Sequence, residues 1–233
     1  MLTAVISDIH GNLEALTRTL EVIAELKADE IICLGDVVGY GPDPDACVAL
    51  IREHCKVVLL GNHDQAALNT AAAANFNDFA RLAVLWTAEH LSDENKTYLS
   101  NLPYTYKRDN ILFVHATPMN PEKWHYIFTY EEAQKQFMHF DENICFVGHT
   151  HFPGIYSNSP SAKKVNKDDQ FIINVGSVGQ PRDGNYRISF GLFDDTEWGY
   201  KHVRAEYDVM TTFNKIKNNG LPVYLAERLI QGR

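Results

Sequence analysis

Five short apolar runs in this chain each end on a residue that can bind a metal ion or a hydrogen-bonding partner. They are residues 3–7 before Asp8, 31–35 before Asp36, 57–61 before Asn62, 111–114 before His115 and 144–148 before His149. Short apolar runs of this length are typical of buried strands. Ligands gather at the carboxyl ends of strands in α/β sheets, because loops converge there on a rigid frame. The pattern therefore predicts a functional site at strand ends.

The segments between these runs predict an alternation of strands and helices. Apolar residues recur at helical spacing over residues 12–27, with Asn12 as the capping residue, and again after Asp43 or Asp45. Strand, helix and strand then follow twice, which predicts two right-handed βαβ crossovers in one parallel sheet. Residues 62–101 have a helical pattern, whereas residues 104–114 are typical of a hairpin. The second half of the chain is predicted to be largely β.

Composition limits the classes of function. The chain has 233 residues, is 45% hydrophobic and lacks a Pro/Ser/Gly-rich linker, so we expect one domain over 1–233, with room for a small helical cap around residues 65–101. Its formal charge of −9 disfavours binding of nucleic-acid polymers. We also expect no membrane association and a cytoplasmic protein, since neither a spanning segment nor a signal-peptide pattern is present.

The polar residues at the run ends have the chemistry of metal ligands. If Asp8-Ile9-His10 is extended, its first and third side chains point the same way and can chelate one ion, and His149-Thr150-His151 offers the same geometry. Asp36 supplies a carboxylate that can bridge two cations. Asn62 and His115 add one neutral ligand each, so the donors of mixed oxygen and nitrogen type suit a pair of transition metals.

Together these motifs resemble a known family. Asp8-x-His10, Gly35-Asp36, Gly61-Asn62-His63-Asp64, His115 and Gly148-His149-x-His151 are similar to the motif set of the calcineurin-like metallophosphoesterases. The runs that start at Asp36 and Asn174 resemble a small bacterial and archaeal subgroup of predicted phosphodiesterases. The resemblance implies an α/β fold, a four-layer α-β-β-α sandwich with two mixed β-sheets flanked by helices.

The resemblance also implies two metal sites and a catalytic histidine. One metal would be held by Asp8, His10, Asp36 and His151, the other by Asp36, Asn62, His115 and His149. Such a pair would acidify a bridging water, and the resulting hydroxide would attack phosphorus. His63 would protonate the leaving oxygen or stabilise its charge. The ligand set accepts manganese, iron, nickel, cobalt or zinc, with manganese favoured.

The resemblance leaves the substrate open. A phosphodiesterase acting on a small phosphodiester or a nucleotide, including a dinucleoside polyphosphate, is preferred. The alternatives are a phosphomonoesterase or protein phosphatase and, in another class, a non-catalytic interaction scaffold of the same fold; a homo-oligomer is also compatible with the sequence. Related protein phosphatases carry an Asp and an Arg where this chain has Gly39 and Tyr40. Because neighbouring side chains of an extended segment point apart, Asp64 is not expected to orient His63.

Two further residues are candidates for substrate binding. Tyr40 follows the second strand closely enough to stack on a base at the rim of the site, or to pack against the Gly41-Pro42 turn instead. Arg182, in the glycine-rich run after Asn174, has the side chain that best binds a phosphate. A surface position for Arg182 is the alternative.

Overall fold

A computed structural model describes residues 1–159, 162 and 164–233. Its strands are β1 Leu2–Ile6, β2 Glu30–Cys33, β3 Val57–Val58, β4 Thr105–Arg108, β5 Ile111–Val114, β6 Ile144–Val147, β7 Gly154–Ser157, β8 Phe171–Asn174, β9 Ile188–Asp194 and β10 Gly199–Ala205. Its α-helices are α1 Leu13–Glu25, α2 Pro44–His54, α3 Asn62–Leu68, α4 Asp78–His90, α5 Asp93–Ser100, α6 Tyr130–Gln136, α7 Val209–Asn218 and α8 Val223–Gln231. Short 3₁₀ turns cover Thr70–Asn75, Pro121–Lys123 and Phe137–His139.

The described strands form two mixed five-stranded sheets. The first has the order β10-β9-β1-β2-β3, in which β1, β2 and β3 are parallel and β9 is antiparallel to β1. The second has the order β4-β5-β6-β8-β7, in which β5, β6 and β8 are parallel and the two edge strands are antiparallel. Both predicted crossovers, β1-α1-β2 and β2-α2-β3, are confirmed, and so is the hairpin of β4 and β5.

Alternation along the strands divides the core into layers. In β1, Ala4 and Ile6 pack towards α1 and α2, whereas Val5 faces the second sheet. The inter-sheet layer is aromatic, with Phe113 and Phe146 stacked at a centroid distance of 5.4 Å. Leu112, like its neighbours on the outer face of the second sheet, packs against the segment that contains α6. This arrangement confirms the predicted four-layer α-β-β-α sandwich.

The helices of the first half follow the predicted pattern with one local difference. Asn12 caps α1, since its side chain accepts a hydrogen bond from the Ala15 N–H. Residues 62–101 form α3, α4 and α5, but Thr70–Asn75 is a 3₁₀ turn. The helical cap predicted around 65–101 remains a prediction. Among the described residues, none of the helices is both long and apolar enough to cross a membrane.

The aromatic layer between the sheets yields a prediction about stability. Phe146 is fully buried between Phe113 and Phe193, so Phe146→Ala should lower the free energy of unfolding by about 3–5 kcal/mol through lost contacts and a cavity. Urea unfolding followed by circular dichroism measures this change. Phe79→Ala is the matched control, because that ring is 41% exposed and its loss should cost about 1 kcal/mol or less. Equal losses for the two variants would contradict the packing described.

Candidate metal centre

The seven residues predicted as metal ligands converge at the carboxyl ends of five parallel strands. Asp8 and His10 follow β1, Asp36 follows β2 and Asn62 follows β3 in the first sheet. The second sheet contributes the rest, after β5 and β6: His115, His149 and His151. All seven side chains are buried. The two sheets therefore present their ligand-bearing edges to the same place.

The first group of donors contains Asp8, His10 and His151, whose ligand atoms lie within 4.8 Å of one another. The Nε2 atoms of the two histidines are 3.1 Å apart, and Nε2 of His151 is 3.3 Å from Oδ1 of Asp8. That oxygen is buried and has no hydrogen-bond partner among the described residues. An unpaired buried carboxylate oxygen is costly, and a cation between these atoms would satisfy it.

The second group contains Asp36, His115 and His149, again within 4.8 Å. Nε2 of His115 lies 3.4 Å from Oδ2 of Asp36 and 3.3 Å from Oδ1 of Asn62. The same Asp36 oxygen is 3.6 Å from Nε2 of His10 in the first group. Asp36 therefore lies between the two groups, and it forms a third candidate group with His10 and His63.

Backbone carbonyl groups orient three of the four histidine rings. Nδ1 of His10 pairs with the Val38 carbonyl at 3.1 Å, and Nδ1 of His151 pairs with the Gln180 carbonyl at 2.6 Å. Both rings thus present Nε2 to the centre. His149 is turned the other way, because its Nε2 pairs with the Trp124 carbonyl at 3.0 Å and leaves Nδ1 free. Metal-binding histidines are usually fixed in this manner through their second nitrogen.

The backbone at the ligands differs from the extended conformation assumed for the sequence. Asp8, His10, Asp36, His149 and His151 all have left-handed φ values, between 52° and 65°. The expectation that Asp8-x-His10 chelates from extended chain is wrong in its reason, although both side chains reach one group. For His149-x-His151 the expectation of joint chelation also fails, because the two rings lie in different groups.

Hydrogen bonds hold the strained turn after β1 in place. The N–H groups of Asp8 and His10 donate to the carbonyls of Gly35 and Asp36 at 3.0 and 2.9 Å. On the other side, the Asp8 carbonyl accepts from Ser177 Oγ at 2.7 Å. A left-handed non-glycine residue costs on the order of 1–3 kcal/mol and persists only where its surroundings fix it. Such strain is concentrated at functional sites.

Charge and burial set the protonation of the ligands. Burial lowers the pKa of His10 and His151, which keeps these rings neutral and able to bind a cation. Burial also acts on His115, but the Asp36 carboxylate outweighs it and raises the pKa of His115 to about 9. Since metal ligands must be deprotonated, a metal ion and a proton compete at this histidine.

His63 lies beside the donor groups. It is in the first turn of α3, where its N–H donates to Oδ1 of Asp36 at 2.8 Å, and its ring is 4.9 Å from that of His10. Nδ1 is buried and has no hydrogen-bond partner among the described residues. Burial lowers the pKa of His63 to about 4. Asp64 does not orient this ring, but the extended conformation assumed for the pair was wrong: Asp64 lies in the same helical turn and accepts from the Gly61 and Val38 N–H groups.

The two candidate substrate residues, Tyr40 and Arg182, contact each other, and the Tyr40 ring packs against His63. Tyr40 is only 6% exposed, and its ring is 4.5 Å from His63 and 4.7 Å from His10. The expected position at the rim is therefore wrong, since these neighbours pack against the ring in the interior. Arg182 is half-buried, rather than on the open surface, and donates to Gln180 Oε1 at 3.1 Å and the Tyr40 hydroxyl at 3.4 Å.

Contacts of two residues near the centre were not predicted from the sequence. Trp124 orients His149 through its carbonyl and donates its ring N–H to Gln65 Oε1 at 3.1 Å. A backbone contact leaves no mark in the side-chain pattern. Arg228 on α8 reaches the same tyrosine as Arg182, with its guanidinium carbon 5.7 Å from the Tyr40 ring centroid. Its position in an amphipathic helix gave no signal of this.

The donor set fits divalent metal ions. Imidazole, carboxylate and amide donors are the ligands of divalent manganese, iron, cobalt, nickel and zinc. The orphaned Asp8 oxygen and the fixed ring nitrogens face one another across distances that a cation would bridge.

With this geometry in view, the comparisons with known proteins identify the family. Residues 1–197 match the Calcineurin-like phosphoesterase superfamily domain. The chain belongs to this superfamily. It is therefore a phosphoric ester hydrolase of the metal-dependent type. The crystal structure of a metallophosphoesterase from Sphaerobacter thermophilus has the same fold, with a TM-score of 0.89 and 35% identity, covering 100% of this chain and 99% of that one.

Two curated relatives of this chain have named activities. Phosphodiesterase YfcE of Escherichia coli is 25% identical over 196 residues, which cover 81% of this chain and 85% of that protein. Serine/threonine-protein phosphatase 1 of Salmonella typhimurium is 34% identical over a shorter stretch of 104 residues, 41% of this chain and 46% of that protein. The match to the phosphodiesterase is weaker in identity but spans most of both chains.

The contact between Gly39 and His63 gives a prediction about activity. A Cβ atom at position 39 would lie 2.6 Å from Nδ1 of His63, and the φ of +93° disfavours any side chain there. Gly39→Ala should displace the ring and lower kcat about 100-fold towards p-nitrophenyl phosphate esters, while bound metal stays unchanged.

Metal content by mass spectrometry and steady-state kinetics test this expectation. Gly199→Ala is the control, because a Cβ atom there meets no other atom within 4 Å. Full activity of Gly39→Ala would show that the position of His63 is not critical.

Proposed function

We propose that this protein is a phosphodiesterase that uses two divalent metal ions to hydrolyse a small phosphodiester or a nucleotide. The observation that carries this proposal is the position of Asp36. One of its carboxylate oxygens faces both donor groups, at 3.6 Å from His10 and 3.4 Å from His115. A carboxylate placed between two sets of ligands is suited to bridge two cations.

Each metal would then have its own set of ligands besides Asp36. Asp8, His10 and His151 would hold one ion, and Asn62, His115 and His149 the other. Two bound divalent ions supply a water of lowered pKa and neutralise the phosphate oxygens. Manganese is favoured among the metals that accept this set of oxygen and nitrogen donors.

The chain's own residues would act on the leaving group. His63 belongs to neither proposed ligand set, although it also forms a candidate group with His10 and Asp36. Its ring is next to His10, and its Nδ1 has no partner among the described residues. We propose that His63 gives a proton, or donates a hydrogen bond, to the oxygen that leaves. Arg182, which bonds to the Tyr40 hydroxyl, would bind a phosphate group of the substrate.

Exposed aromatic rings beside the centre favour a diester over a monoester. Tyr126 stacks on His149 with ring centroids 4.1 Å apart, and Phe128 stacks on Tyr126 at 5.3 Å. These two rings are 47% and 52% exposed. A diester carries a second organic group, and an apolar wall next to a metal ligand would contact it.

The protein-phosphatase alternative has support in the match over 104 residues. The surroundings of His63 argue against the protein-phosphatase alternative. No carboxylate of the described residues reaches Nδ1, and the space where a residue 39 side chain would lie is filled by the His63 ring. We therefore favour small substrates, for which the longer match to phosphodiesterase YfcE also speaks.

The experiment that tests the proposed function compares two substrates. Metal-stripped protein, resupplied with manganese, is assayed with bis-p-nitrophenyl phosphate and with p-nitrophenyl phosphate. We expect a higher kcat/KM for the diester and no hydrolysis by metal-stripped protein. A higher value for the monoester would make the protein a phosphomonoesterase. Inactivity on both substrates despite bound manganese would favour either a nucleotide polyphosphate substrate or the scaffold.

Two variants separate metal binding from chemistry. Asp36→Ala should lose both metal and activity, because it removes the ligand shared by the two sites. His63→Asn should retain its metal while kcat falls roughly 100-fold to 10,000-fold, the usual contribution of a positioned acid. Elemental analysis of each dialysed protein beside its kcat checks both expectations. Metal retained by Asp36→Ala would contradict the bridging position, and normal turnover of His63→Asn would remove that residue from the mechanism.

A further inference from the structure

Two arginines, Arg182 and Arg228, lie beside the ring of Tyr40, which packs against His63. The guanidinium carbons of Arg182 and Arg228 lie 5.8 and 5.7 Å from the centroid of Tyr40. That ring in turn is 4.5 Å from the ring of His63. Burial, together with the charges of both arginines, lowers the pKa of His63, so these cations are electrostatically close to the reacting centre.

Neither arginine has an Asp or Glu side chain as a partner among the described residues. Nε of Arg182 is buried without a hydrogen bond, and Nε of Arg228 donates to the Arg233 carbonyl at 2.5 Å. Burial and the charge of Arg182 lower the pKa of Arg228. Five other described arginines do have an acidic partner: Arg18, Arg52, Arg81, Arg108 and Arg204. Arg187 and Arg233 also lack an acidic partner among the described residues, but both are exposed, whereas Arg182 and Arg228 are half-buried.

Two half-buried like charges without an acid are unfavourable until an anion joins them. A guanidinium group presents a planar fork of N–H donors that suits phosphate oxygens. In the proposed function, the metal ions held by the two donor groups would bind the phosphate that reacts. The two arginines, which lie next to Tyr40, are therefore available to bind a second phosphate group.

We propose that Arg182 and Arg228 form a subsite for a second phosphate group of the substrate. The preferred substrates are then esters with at least two phosphates, such as nucleoside polyphosphates, rather than simple monophosphate diesters. This inference rests on the proposed function for the reacting phosphate. It extends the role of Arg182 and adds Arg228, which the sequence did not single out.

Binding to metal-stripped full-length protein tests the subsite independently of hydrolysis. Isothermal titration calorimetry with adenosine monophosphate and adenosine diphosphate compares two ligands that differ by one phosphate. We expect the diphosphate to bind at least about tenfold more tightly, the value of one charge-assisted contact. Equal affinities would overturn the proposal, whatever the outcome with bis-p-nitrophenyl phosphate.

Arg228→Gln and Arg182→Gln should each reduce this preference to about threefold or less, and thermal melting checks that each variant is folded. Arg182 lies in a loop and Arg228 in α8, so failure of one variant to fold leaves the other as a test. Arg187→Gln is the control, since Arg187 is exposed and its side chain, among the described residues, bonds only to Asn185. Unchanged preference in a folded variant contradicts the subsite, and so does an equal loss of affinity for both nucleotides, which would place the arginine at the first phosphate.

Discussion

The centre depends on the carboxylate of Asp36. One oxygen accepts the N–H of His63 and thereby fixes the start of α3, while the other faces histidines from both donor groups. The charge of Asp36 remains in place because His115 and His63 lower its pKa against the effect of burial. A single side chain thus links the end of β2, the start of α3 and the candidate ligands of the second sheet.

The fold and the position of the site could be predicted from the sequence to a large extent. Runs of apolar residues that end on Asp8, Asp36 and His115 carry both kinds of information, since strand length and the polar terminus are local properties. The sheet pairing that brings these ends together follows from the crossover rule for β1 to β3. The second sheet and the assignment of the ligands to two metal sites were predicted from the resemblance to the superfamily.

The remainder depended on contacts distant in sequence. Left-handed backbone at Asp8 is stabilised by a hydrogen bond to the Gly35 carbonyl and by one from Ser177 Oγ, which no local pattern indicates. Tyr40 is buried because helices at the end of the chain, with Ile216 and Leu225, pack over it. Arg228 lies nearly two hundred residues from that tyrosine in sequence. Its position is a result of tertiary packing alone.

Trp124 connects the entrance of the site to its interior. Its carbonyl orients His149, its ring N–H is bonded to Gln65 of α3, and the exposed aromatic rings follow it directly in the chain. Displacement of this loop to admit a bulky ester would also withdraw the acceptor that fixes a ligand. Under the proposed function, the segment that contains Trp124 would therefore influence both the size of the substrate that can bind and the retention of a metal ion.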